Sequence, residues 1–137
     1  MKLWKKIALA LLSISMVFIG IGHFVDPEPF VRIVPEWLPA PLWLVWISGV
    51  AEILGGIGVA IPRTRRWAAW GLIALFIAVF PANINMAVNE IQLNPGDDLP
   101  VWAMWARLPF QLVFIAWAWI FTRAPEERAP SPVPPTP

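Results

Sequence analysis

Six side chains stand out against an otherwise apolar sequence: His23, Glu52, Asn83, Asn85, Arg107 and Gln111. An imidazole, a carboxyl group, a guanidinium and three amides can together donate hydrogen bonds to a carbonyl oxygen and take up or deliver a proton. Metal chemistry is poorly served by the same set, because one histidine and one nearby carboxylate fall short of the three or four ligands usual for zinc. Haem ligation by His23 is equally weak, since no residue at a matching depth offers a second axial ligand. The chain has no cysteine. Disulfides, thiolate catalysis and Cys-ligated zinc or iron–sulfur sites are therefore excluded, and any redox role must use a borrowed cofactor.

The segments that must position these groups are hydrophobic. Of the 137 residues, 58% are hydrophobic, and the mean hydropathy of +0.65 is more apolar surface than a soluble domain of this size can hide. Four stretches carry most of it: Ile7 to Phe24, Leu42 to Ile61, Trp67 to Val88, and Val101 to Phe121. Each runs about 18 to 22 residues, enough at ~1.5 Å rise per residue to cross a hydrocarbon core of roughly 30 Å. Breakers and charges fill the intervals, as DPEPFVRIVPEWLPAP, PRTRR and NEIQLNPGDDLP. The expected fold is all-α, an integral membrane four-helix bundle over residues 1–124, with the lipid bilayer as its partner. Net charge is only +1, and the ten Lys and Arg residues lie in short runs at the ends of apolar segments. That leaves no basic face for nucleic acid.

Positive charge sets the expected orientation. Lys2, Lys5 and Lys6 precede the first span, Arg63, Arg65 and Arg66 fill the turn after the second, and Arg123 follows the fourth. The other two loops are acidic, with Asp26, Glu28 and Glu36 in one and Glu90, Asp97 and Asp98 in the other. Both termini are thus expected in the cytoplasm. Tryptophans 37, 43, 67, 70, 102, 117 and 119 fall near span ends, where amphipathic rings favour the interface. The basic, apolar start KLWKKIALALLSISMVFIG also resembles a signal peptide, but no small-x-small cleavage site follows Gly20 and the stretch is long enough to span. A retained helix is the reading. In the first outer loop Phe30, Ile33, Val34, Trp37 and Leu38 fall at helical spacing, predicting a short interfacial helix that Pro35 limits to a turn or two. The end, residues 125–137, is rich in proline and without hydrophobic periodicity, which predicts an extended, solvated tail.

An ionisable group placed in lipid costs about 2.5 to 3.5 kcal/mol on insertion scales, so each needs a partner or a purpose. Glu52 lies ten residues beyond Leu42 and Arg107 six beyond Val101, which puts them about 15 Å and about 9 Å below the outer ends of their helices. His23, Asn83 and Asn85 sit near outer ends too. The polar set therefore clusters between the midplane and the outer face, while the inner half is apolar apart from Ser13 and Ser15. Ser48, Glu52, Gly56 and Ala60 lie four apart, so Glu52 shares a face with small residues that admit a neighbouring helix. Arg107 and Gln111 share a face in the same way. The expectation is a central Glu52–Arg107 ion pair, bridged by the reach of the arginine. Pro81 and Pro109 are expected to kink the last two spans and to free the carbonyls of Ile77 and Trp105 for side chains or water. The candidate binding residues are His23, Glu52, Asn83, Arg107 and Gln111. The competing reading of the same residues is that they fix helix register and bind nothing.

The segments GHFVDPEPFVRIVPEWLPAP, LVWISGVAEILGGIGVAIPRTRRWAAWGLIALFIAVFPANINMAV and WARLPFQLVFIAWAWIFTR resemble the DoxX family of small four-helix bacterial membrane proteins, over almost the whole chain to Arg123. The resemblance rests on GHF, SGxxEILGG, PRTRR, FPANI and RLPFQ. It implies a multi-pass component of the bacterial cytoplasmic membrane, with some members similar to the small subunit of a thiosulfate:quinone or quinol oxidoreductase. On that basis one expected function is an accessory, non-catalytic component of a membrane oxidoreductase system, in which a polar outer cavity holds a quinone head group. A second is a structural or assembly protein that binds another membrane protein. A solute or proton pathway ranks last, because the inner half offers no continuous polar route and no inverted repeat is present.

Overall fold

A computed structural model describes residues 1–123 and 133–136. Most of the proline-rich tail expected over 125–137 lies outside the described residues. The architecture is all-α: α1 (Leu3–Val25), α2 (Glu28–Ile33), α3 (Pro41–Ala60), α4 (Arg65–Val88) and α5 (Val101–Trp119). Helices α1, α3, α4 and α5 are each long and apolar enough to cross a membrane, and they lie over the four apolar stretches. By helix length and hydropathy the chain is a multi-pass membrane protein with four spans.

The long helices pack in the order α1–α3–α4–α5, with only slight contact between α1 and α5. One end of the bundle, the turn end, carries the chain start and the 61–64 turn; the other, the loop end, carries α2 and the 89–100 segment. Contact between α1 and α3 depends on glycine. A Cβ on Gly20 would lie 2.8 Å from the Gly49 carbonyl oxygen, and one on Gly56 would lie 2.9 Å from that of Ser13. No side chain larger than hydrogen fits at such separations, so the two backbones approach as small-residue helix pairs do in membranes. The Ser13 hydroxyl donates to the Gly56 carbonyl at 2.7 Å across this contact. Gly56 belongs to the small-residue face expected to carry it, while Gly49 does the work farther along and Ala60 is exposed.

At the turn end, Leu9, Leu12, Met16, Val59, Ala69, Leu72, Phe76 and Ala118 form a dry core. The PRTRR turn does more than hold charge. Arg65 donates from Nε to the Val59 carbonyl at 2.8 Å and Thr64 from its hydroxyl to that of Gly58 at 2.7 Å. Both satisfy carbonyls in the last turn of α3, which α-helical geometry leaves without amide partners. Trp117, expected as an interface anchor, is half-buried and its indole N–H donates to the Ala8 carbonyl at 3.0 Å. It straps α5 to α1.

At the loop end α2 is one and a half turns long, and Val34 is extended because the following Pro35 disfavours helical backbone there. Its apolar stripe does not simply face outward: Ile33 is buried against Met86, Ala87 and Met104, while Trp37 is 74% exposed. Asn85 donates to the Ile33 carbonyl at 2.9 Å, fastening α2 to α4.

Candidate functional site

Helix α1 delivers His23 at its last turn, α3 delivers Glu52 near its middle, α4 delivers Asn83 close to its end, and α5 delivers Arg107 in its first half and Gln111 just past its middle. All five line one cavity of about 520 Å³ in the loop half of the bundle. Met16, Phe76 and Phe114 form the floor, with the two phenyl rings 5.8 Å apart. The roof is α2 and the segment after it, through Phe30, Ile33, Pro35 and Leu38. Apolar walls with a few convergent polar groups are the usual make-up of a small-molecule site, and the volume falls within the range of about 300–1,000 Å³ typical of one.

The expected ion pair between Glu52 and Arg107 does not form. Glu52 instead approaches His23, with Oε2 3.3 Å from Nδ1. The reason lies in the packing: α3 is pressed onto α1 through the Gly20–Gly49 approach, whereas α3 and α5 are not packed neighbours. Arg107 therefore stands across the cavity from Glu52. It lines the cavity and makes no side-chain hydrogen bond or ion pair among the described residues.

His23 and Glu52 are 6% and 7% exposed. The imidazole Nδ1 lies 2.8 Å from the Ile19 carbonyl oxygen, which can only accept, so Nδ1 is the nitrogen that carries hydrogen. That hydrogen is directed along α1 to Ile19. Glu52 Oε2 is thus close to Nδ1 yet buried without a well-aligned donor. The other ring nitrogen, Nε2, makes no hydrogen bond among the described residues. Phe30 stacks on the ring, centroid to centroid 3.9 Å at 17°, and fixes its plane. The outcome is an acid and an imidazole that share one wall and keep unused hydrogen-bonding capacity.

Asn83 and Gln111 are already engaged. The Asn83 amide donates to the Gln111 side-chain oxygen, and the Gln111 amide donates to the Phe76 carbonyl at 2.8 Å. Both prolines stand inside continuous helices. The carbonyl that Gln111 meets is Phe76, one residue before the Ile77 expected from Pro81. Asn85 lies outside the cavity and serves α2. Two features had no signal in the isolated sequence: the Phe30 stack, which needs the α1–α2 bend to form, and the Ile19 bond that orients His23. Among the described residues no three of His, Cys, Asp or Glu gather as metal ligands.

Arg107 across from the His23–Glu52 pair can bind an oxygen acceptor on one side of a ligand while the pair exchanges hydrogen bonds on the other. No match was found among curated proteins or solved structures. Residues 12–122 match the family model described as a domain of unknown function, DUF8561, and the chain belongs to that family.

Proposed function

We propose that the cavity binds the head group of a lipid-soluble quinone and that the chain is a non-catalytic, accessory component of a membrane oxidoreductase system. The observation that carries this is an apolar cavity lined both by Arg107 on α5 and by the His23–Glu52 pair on α1 and α3. A quinone ring has carbonyl oxygens at its two ends. Arg107 donates to one, and the imidazole and carboxyl group stand by the other, where a proton is taken up or released as the ring changes redox state. The motifs GHF, SGxxEILGG, FPANI and RLPFQ, with their resemblance to DoxX proteins, support the same reading. They also favour the bacterial cytoplasmic membrane, with Lys2, Lys5, Lys6 and Arg63, Arg65, Arg66 on the cytoplasmic side and the cavity in the outer half.

The test is gentle extraction into lipid nanodiscs followed by mass spectrometry and quinone titration. Wild-type protein is expected to carry quinone, and Arg107→Gln to bind it about tenfold or more weakly, the loss of one charge-assisted hydrogen bond. Absence of quinone from wild type, with no binding on titration, would falsify the reading. A second reading has its own support. The Asn83–Gln111–Phe76 chain of bonds holds α4 to α5 with no ligand needed, as in a structural or assembly protein whose polar groups only fix packing. Recovery of a stoichiometric protein partner together with an empty cavity would favour it.

A further inference from the structure

Of the residues that line the cavity, only Ile47 on α3, at 61%, and Ala78 on α4 are exposed, and the others are buried or half-buried. A side chain that borders both the cavity and the surroundings marks the place where the wall is open. No lining residue of α1 or α5 is exposed, so the opening lies between α3 and α4. Its height is set by chain position. Ile47 is six residues from the start of α3 and Ala78 ten from the end of α4, about 9 Å and about 15 Å along the helix axes. That is within the apolar length of both spans rather than at their ends.

The opening has a structural cause. Helices α3 and α4 are pinned together next to their connecting turn, where a Cβ on Gly58 would meet the Ala68 Cβ at 2.6 Å and one on Gly55 would collide with Leu72. Beyond Gly55 the facing residues of α3 are larger, and none of its glycines there meets α4. Toward the loop end the cavity comes between the two helices, lined by Ser48 and Ala51 of α3 and by Leu75, Ala78 and Val79 of α4.

We infer that the ligand enters sideways from the bilayer through the slot between α3 and α4, and that its single apolar tail lies in that slot, with Ala51 and Ala78 setting the width. The inference rests on the reading that a hydrogen-bonding head group occupies the cavity, and it narrows the ligand class to single-tailed amphiphiles dissolved in the membrane. The slot walls are apolar but for Ser48, whose hydroxyl is spent on the Val45 carbonyl at 2.9 Å. An alkyl or isoprenoid chain suits such walls and a second polar group does not.

The experiment uses the full chain in nanodiscs with two probes, a decyl-substituted 1,4-benzoquinone and the same ring without the tail. Ala78→Phe is expected to weaken the tailed probe about tenfold or more and to leave the tail-less ring within about twofold, while Ala74→Phe, exposed on α4 away from the cavity, changes neither. Equal weakening of both probes, or unchanged binding of the tailed one, overturns the inference while leaving the quinone reading in place. If neither probe binds wild type the quinone reading fails, and the slot is judged separately with an alkyl diazirine dissolved in the bilayer. Labelling of the floor residues Met16 and Phe114, abolished by Ala78→Phe, sustains lateral access; labelling confined to outward-facing residues rejects it.

Discussion

Helix α3 meets its two neighbours in different ways. Against α1 it is closed along its length, through Gly20 and Gly49 in the loop half and through Ser13 and Gly56 in the turn half. Against α4 it is closed only beside the turn, by Gly55 and Gly58. The same helix is thus zipped on one side and splayed on the other, and the cavity occupies the splayed half. Bulk hydrophobicity does not explain this, since lipid is as apolar as the helix faces. The distribution of glycines does, because it decides where backbones can approach and where side chains hold them apart.

The sharpest way to break this comparison is a matched pair of enlargements on α3. Gly49→Val forces a side chain onto the His23 Cβ, the Phe24 ring and the Gly20 carbonyl oxygen, which stand 2.8 to 3.1 Å from its Cβ position, and of these only the Phe24 ring can swing aside. A loss of about 3 kcal/mol or more is expected, at the upper end for overpacking. Ala51→Leu, two residues away, points at the cavity and should change stability by less than about 1 kcal/mol. Thermal midpoints in one detergent decide it; equal losses would mean that α3 is packed alike on both sides.

A smaller effect is expected where the loop half is held by amides instead of glycines. Gln111→Leu removes the acceptor of Asn83 and the donor to Phe76, and should cost about 1–3 kcal/mol because Asn83 is left buried without a partner. Combining it with Asn83→Leu should cost less than the sum of the single changes, since the second substitution removes the orphan created by the first. Strict additivity in thermal midpoints would show that the two amides act separately.

The four spans were legible because lipid demands long runs of apolar residues, and so were the members of the candidate site, because polar side chains in such runs are few. Pairing within the site was not legible. Depth along a helix follows from residue counting, but which helix stands next to which follows from packing, and Glu52 found His23 instead of Arg107 for that reason alone. The small residues Ser48, Gly56 and Ala60 on the face of Glu52 pointed to a close helix contact without saying that α1 makes it. The roles of Trp117, Thr64 and Arg65 were hidden in a similar way. Each bonds a backbone carbonyl of a particular helix end or neighbour, and a carbonyl leaves no mark in the sequence.

The weakest expected effect tests what holds the zipped side together. The Ser13 hydroxyl bridges α1 and α3 by donating to the Gly56 carbonyl, which suggests a polar clasp. Gly56 stands inside α3, however, where the helix ladder already supplies its carbonyl with an amide proton. Ser13→Ala removes a donor and leaves no unpaired buried group behind, so the loss should be only about 0.6 kcal/mol, the average for such bonds between membrane helices. Gly56→Val, in contrast, drives a side chain toward the Ser13 carbonyl and the Met16 and Val17 side chains, all within 2.9 to 3.0 Å of its Cβ position. Steric closure predicts a severalfold larger loss for Gly56→Val than for Ser13→Ala in the same thermal measurement. If the serine change proves as damaging as the glycine change, the α1–α3 contact is held by its hydrogen bond, and the confinement of α3–α4 side-chain bonds, among the described residues, to Arg65 beside the turn would become the cause of the splay.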